Sequence, residues 1–391
     1  MLSPLDFNTA NLASHSNNNP KRVLAFIEEH IERLNRVEPT LNIMHTPRYD
    51  EARICAQVYR EGPLRGSSFV IAPEDIHPES IHPLIDNGAI PIAEVKTNHD
   101  PLNIFNFNNP WNLHHTAGSS AAAAVSSGAA VFSICSDQHG SLILSANFCG
   151  TFALRPTSTA SRYGWHARSV DDLASIFSCA SGQPIEPDPP PISVWYMTDF
   201  SPYTLEKPVR NIMHDALTFL QQQSLCFPIE TPLFSQAFSI WASNWTQPKD
   251  YLPKHPTGLM AQMMHERLHK LNPALGKQLS LIRDDIREGL IQLLGTDGVL
   301  ICPSYPRCVP QHTSGNQTPM DFILSAFFCD LDLPALQVPM GFCTAGTPLG
   351  LQIIASPNQE KNLFVIGKMM EAEFKGWTRS QPFLINMPFN P

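Results

Sequence analysis

The sequence predicts an α/β fold, a β-sheet covered by helices on both faces. Short apolar runs bounded by turn residues recur along the chain, and stretches with helical apolar spacing lie between them. The 391 residues, 43% of them hydrophobic, can bury such a sheet on both sides without disulfides or metals. Length alone fits one large domain or two small ones.

The first helix is expected after Pro20, where Val23, Ile27, Ile31 and Leu34 line one face. Asn19 is a candidate cap and Pro20 suits the first turn. Phe69-Val70-Ile71 reads as a short buried strand, and Ile90 to Val95 as a second. The segment 168–180 reads as a helix with Val170, Leu173, Ala174 and Phe177 on one side. The Pro-rich stretch 184–193 reads as a surface connector, and 194–275 carries no clear pattern. Ile282, Ile286, Leu290 and Leu293 mark another amphipathic helix that Gly295 can end. Strands are expected at Val299 to Ile301, Leu336 to Met340 and Leu349 to Ile354, then a last helix over about 360–374.

Composition excludes several classes of function. The formal net charge is -9, with no basic tract, which leaves no footing for nucleic acid. No run of about 18 apolar residues exists, so no membrane span is expected. The polar, Asn-rich start, Met1 to Asn19, lacks the pattern of a secretory signal. Nine cysteines without a CxxC pair, several in apolar settings (Cys135, Cys149, Cys302), suit free thiols in a reducing cytoplasm. No phosphate loop, nucleotide fingerprint or metal-ligand cluster occurs, so no cofactor and no metal are expected. The 36 prolines, about twice the usual share, point to many loops.

The most unusual segment is Thr116 to Thr157. Small residues dominate Ala117-Gly118-Ser119-Ser120-Ala121-Ala122-Ala123-Ala124, and a tight Asp137-Gln138-His139-Gly140-Ser141 turn follows. Small residues let backbone approach backbone or ligand closely. Amides of the turn before Ser141 could stabilise an oxyanion. A purely structural reading is also open: Ala121 to Ala124 start a tightly packed core helix, with serines as its caps.

This segment resembles the amidase-signature family, whose members hydrolyse amides with a Ser–cis-Ser–Lys triad. The phrases that carry the resemblance are Gly118-Ser119-Ser120, the Asp137 to Ser141 turn, Phe148-Cys149-Gly150 and Arg155-Pro156-Thr157. Flanking phrases agree: Asn109-Pro110-Trp111-Asn112, Lys96-Thr97-Asn98, the run Ala167 to Ala174, Leu333 to Leu336, Val338 to Gly341 and Gly350 to Ile354. The resemblance implies one amidase-signature domain over 20–391, after a polar segment 1–19. It further implies a mixed β-sheet core, a signature core at 109–182 and a variable region at about 184–275. It assigns the nucleophile to Ser141, the bridging serine to Ser119 and the oxyanion turn to Gln138, His139 and Gly140. The chain is two residues shorter than the family between the two serines, and a different gap puts Ala117 in the bridging position. The family also permits a homodimer.

The base is missing from this pattern. Gly62-Pro63-Leu64-Arg65-Gly66 is intact, but the triad lysine position that follows falls on Ala72, or on Pro73 if the gap moves by one. No lysine lies between Lys21 and Lys96, and Lys96 belongs to a different phrase. Ile143 replaces a common Arg, His139 replaces a Gly, and the stretch 76–95 is short for the family. A serine hydroxyl without a proton acceptor is a poor nucleophile, and its loss of base removes orders of magnitude in rate. His139, Glu74 and Asp75 are the nearby substitutes to consider; His77, His82, His114 and His115 read as surface or loop residues. The favoured expectation is a catalytically impaired or inactive amidase-fold protein, with three roles open: binding a small amide- or ester-like ligand, partnering an active enzyme, or being a decaying paralogue. The alternative is an active amidase or esterase using Ser141 with a substitute base.

Overall fold

The structure, a computed structural model, describes residues 4–16, 19–58, 60–74, 76–97, 107–137, 139–157, 162–184, 192–244, 256–312 and 320–380. Gln138, Asp75, most of the polar start's boundary with the first long helix (17–18) and the greater part of the Pro-rich connector (185–191) lie outside them.

Among the described residues one mixed sheet runs through the molecule. Its strands are β1 (Met44–Pro47), β2 (Ser68–Ile71), β3 (Ile90–Val95), β4 (Phe132–Ser136), β5 (Phe152–Arg155) and β6 (Tyr163–Ala167). They continue with β7 (Ser193–Met197), β8 (Cys226–Ile229), β9 (Gly298–Pro303), β10 (Ala335–Phe342) and β11 (Pro348–Ala355). The order across the sheet is β1-β3-β2-β4-β6-β5-β10-β11-β9-β7-β8. β2 runs parallel to β3 and β4, β7 runs parallel to β8 and β9, and the other pairs are antiparallel.

The helices are α1 (Thr9–Ser16), α2 (Pro20–Leu41), α3 (Tyr49–Gln57), α4 (Pro78–Asp86), α5 (Ser120–Ser126), α6 (Ser141–Cys149) and α7 (Val170–Ser181). They continue with α8 (Lys207–Leu220), α9 (Ala237–Asn244), α10 (Pro256–Glu266), α11 (Pro273–Leu294), α12 (Ile323–Asp330) and α13 (Glu360–Phe374). One apolar layer joins α2, α5, α6, α9, α11 and α12 to one face of the sheet. A second layer joins α4, α7, α8 and α13 to the other face. The α/β architecture with both faces covered is therefore the one the sequence predicts.

Local chemistry explains the element ends. The Asn19 side chain accepts from the Lys21 amide at 3.0 Å and starts α2. Its apolar face of Val23, Ile27, Ile31 and Leu34 is buried. Gly295 follows α11 at φ 55, a conformation that suits glycine. Helix α11 begins at Pro273, well before the apolar face read from 282 onward, because its first turns lie largely exposed. Ala121 to Ala124 are completely buried inside α5, the packing role the small-residue run allows.

Three regions go beyond the sequence reading. Residues 9–16 of the polar start form α1, and the Thr9 amide donates to the Asp172 carboxylate at 2.7 Å. The short 76–95 stretch contains α4, whose pattern is broken by Pro78 and Pro83. The unreadable 194–275 supplies two strands on the sheet's far edge and α8 to α10.

Candidate active site

Strand β4 runs into the turn that carries Ser141. Asp137 is the hinge of this turn: it is fully buried, and its Oδ1 accepts from the Leu142 amide at 3.1 Å at the start of α6. Its Oδ2 lies 3.1 Å from Nη1 of Arg155, a guanidinium also held by the Leu333 carbonyl. The pair is nearly dry, with side-chain exposures of 6% and 0%. It is therefore held by geometry that a lone charge could not tolerate.

Gly140 adopts φ 77, and a Cβ there would sit 2.6 Å from the backbone of Ser325 and Ala326 in α12. No other residue fits that contact. The Cys329 thiol donates to the Asp137 carbonyl at 3.1 Å. His139 sets its ring edge-on to Trp241 at 5.8 Å, and burial, followed by the nearby Arg162 charge, brings its pKa down to about 4. The imidazole is neutral at pH 7. Gln138 lies outside the described residues.

Ser141 is the first residue of α6 and is half-buried. Among the described residues, its hydroxyl has no hydrogen-bond partner. Ser119 caps α5, its hydroxyl accepting from the Ala121 amide at 3.2 Å. The segment before it packs on α6: a Cβ on Gly118 would meet Phe148 and Ser145 at 3.3 Å. Ala117 is buried and its carbonyl accepts from the Cys149 thiol. Asn109 ties the same segment to α6, donating to the carbonyls of Thr116 at 2.9 Å and Phe148 at 2.7 Å. Ser120 donates to the Lys96 carbonyl. The only cis peptide bond among the described residues is Ser201–Pro202.

Ala72 follows β2 directly. It is 7% exposed, and its amide donates to the Ile134 carbonyl of β4 at 3.0 Å. The position thus borders the strand that leads into the Ser141 turn, and it ends in a methyl group. Pro73, the alternative position, is exposed. Lys96 is occupied elsewhere: its Nζ donates to the carbonyl and side chain of Asn42 and lies 4.0 Å from Glu38, at the carboxyl end of α2. A cation there complements the helix dipole, so Lys96 is a structural residue.

The remaining candidates divide. Glu74, His77, His82 and His114 are exposed, and Asp75 is outside the described residues. His115 lies in a loop but is buried, its Nδ1 2.7 Å from the Val309 carbonyl. Sequence reasoning missed His166, which lies 3.1 Å from the Ser145 hydroxyl and 2.9 Å from that of Ser133. Burial brings its pKa down to about 4. This serine–histidine contact is sealed, Ser145 being 1% and His166 0% exposed, so it braces α6 against β4 and β6 and meets no substrate. It also missed the Asp137–Arg155 pair, whose one signal was a charged residue ending an otherwise apolar strand.

Comparison with known proteins gives the same frame. The family model named Amidase matches residues 95–210. Human (Homo sapiens) fatty-acid amide hydrolase 2 is 31% identical over 115 residues, covering 29% of this chain and 21% of that protein. Fatty-acid amide hydrolase 2-A of Danio rerio is 25% identical over 338 residues, covering 69% of this chain and 62% of that protein. The chain thus spans about a fifth and about three-fifths of the lengths of these two relatives. The solved structure of 6-aminohexanoate cyclic dimer hydrolase superposes with a TM-score of 0.79 at 16% identity, covering 97% of this chain and all of that one. The sheet order, the covered faces and the matched segment around Ser141 define an amide-hydrolase fold. Over residues 95–210 the chain is similar to the amidase family, and its fold is that of the hydrolase it superposes on.

Proposed function

We propose that this chain is an amidase-signature protein whose hydrolytic chemistry is disabled or severely impaired, and which retains the capacity to hold a small amide- or ester-like ligand. The observation that carries this reading is Ala72. The side chain that borders β4 at the lysine position is a methyl group, which accepts no proton. A serine hydroxyl needs an acceptor to become a nucleophile. One further feature supports the reading: the Ser141 hydroxyl has no partner among the described residues. Lys96, the nearest lysine in sequence after the gap, is held at the end of α2.

The alternative of a substitute base finds little support. The His139 ring packs on Trp241, and Glu74 is exposed to water. No helix among the described residues is long and apolar enough to cross a membrane. Nine unpaired thiols suit a reducing compartment such as the cytoplasm.

The test is hydrolysis of a panel of simple amides and esters by the wild-type chain and by Ser141→Ala. The expected result is no turnover above background for either, and equal binding of an unreactive amide by both. Turnover that disappears in Ser141→Ala would overturn the reading.

A further inference from the structure

A cavity of about 210 Å³ opens at one end of the sheet, between β6, the carboxyl half of α7 and the loop after α12. Ser141, Ser119 and Ala72 take no part in its wall. The two regions belong to opposite faces of the sheet. Tyr163, Trp165 and Phe177 of the wall pack in the layer that holds α7, and α6 packs in the other layer. We propose that this cavity is a ligand site separate from the candidate active site, and that it takes a neutral single-ring aromatic compound bearing a carbonyl group.

Size sets the first limit. An apolar cavity of about 150 Å³ holds one benzene. The space here, about 210 Å³, holds one ring with a short substituent. The apolar side of the wall suits such a ring. Tyr163 and Trp165 stand edge to face, their centroids 5.4 Å apart, and Phe177 and Ala180 complete that side. Aromatic rings gain from edge and offset contacts with one another.

The polar groups of the wall have donors to spare. Nη2 of Arg162 lies 2.7 Å from Oδ1 of Asp332. Among the described residues the Arg162 guanidinium has no other hydrogen-bond or ion-pair partner, although it carries further N–H donors. The Trp165 indole N–H has no acceptor among them either, in a residue 1% exposed. Buried donors without acceptors are costly, so a ligand that fits this wall brings an acceptor.

The acceptor carries no full charge. Asp332 already faces Arg162, and its Oδ2 lies 3.1 Å from Nη2 of Arg283. Arg155, the other cation of the wall, is spent on Asp137 and the Leu333 carbonyl. A ligand carboxylate would find no unpaired cation and would lie beside the Asp332 charge in a largely apolar space. A carbonyl oxygen accepts from Arg162 without that repulsion.

The experiment titrates the full chain with acetophenone, toluene and benzoate by isothermal titration calorimetry. The three share one ring and differ in acceptor and charge. None has a bond that an amidase cleaves, so the outcome is independent of hydrolytic activity. The expected result is one saturable site for acetophenone, with toluene and benzoate each weaker by about tenfold or more. Arg162→Met is expected to bring acetophenone down to the level of toluene. That change also breaks an ion pair, so a second variant, Ala180→Phe, fills the cavity with Arg162 in place and is expected to abolish binding. Ser141→Ala is expected to bind as wild type does. Four outcomes overturn the proposal: no saturable binding to wild type; toluene or benzoate binding as tightly as acetophenone; binding undiminished by either Arg162→Met or Ala180→Phe; or binding lost in Ser141→Ala.

Discussion

Strands β2 and β4 lie side by side and parallel, and the two ends they present are built differently. At the end of β4, the turn that carries Ser141 is held by the buried Asp137–Arg155 pair, the glycine wedged against α12, the Asp137 cap on Leu142 and the His166 brace beneath α6. At the end of β2, the Ala72 amide bonds the Ile134 carbonyl, and the side chain at that position is a methyl. The contrast separates two kinds of constraint. The β4 end is fixed by groups that the fold itself needs, because removing any of them strands a buried charge or opens a gap. A base at the β2 end would serve the chemistry alone, and the fold loses nothing without it.

The largest effect that would sharpen this contrast is at Asp137. Asp137→Ala leaves the Arg155 guanidinium buried with only the Leu333 carbonyl to receive it. The expected loss is about 3–5 kcal/mol in denaturant unfolding. A loss below about 1 kcal/mol would mean that the β4 end is no more constrained than the β2 end.

Next comes the acid limb of stability. Burial lowers the pKa of His166 from its ordinary value of 6.5 to about 4, so the folded state holds the ring neutral where the unfolded chain protonates it. The unfolded state therefore binds more protons between these values, and stability is lost as pH falls from about 6.5 toward 4. Between pH 7 and pH 5 this one residue accounts for about 2 kcal/mol. His30 and His139, lowered to about 3 and about 4, act in the same direction. Glu371, raised to about 7, works against them, because its buried carboxyl keeps its proton in the folded state and that contribution is lost as pH rises. His166→Asn, compared with wild type by urea titration at the two pH values, is expected to flatten the slope; an unchanged slope would remove His166 from the brace.

The smallest effect is expected at Lys96. Its amine sits partly exposed at the end of α2, 4.0 Å from Glu38. Lys96→Met should cost at most about 1 kcal/mol and leave binding of an unreactive amide unchanged. A change in binding with stability intact would give Lys96 a place in the site.

Much of this molecule was legible in its sequence where periodicity was clean. The faces of α2 and α7, the apolar runs of β2, β3, β9, β10 and β11, and the Gly295 stop all declare themselves through side-chain pattern. The elements that escaped did so for physical reasons. Prolines at 78 and 83 interrupt the signal of α4, and the first turns of α11 present exposed Leu275 and Leu281 that blur its apolar face. In the candidate site, the segments around Ser141, Ser119 and Ala72 drew notice through spacing and wording alone. The tie between Cys329 and the Asp137 carbonyl could not be read there, because it joins residues almost two hundred positions apart. His166 was invisible for a similar reason: its partners Ser133 and Ser145 come from a neighbouring strand and from the helix across it.

The central claim is that the Ser141 hydroxyl lacks a proton acceptor on an otherwise intact scaffold. Covalent labelling by a fluorophosphonate tests it most directly, measured at Ser141 in wild type and in Ala72→Lys. The account predicts no labelling of wild type and measurable labelling of the lysine variant, with Ser141→Ala blank. Wild-type Ser141 that labels as fast as the lysine variant would contradict it.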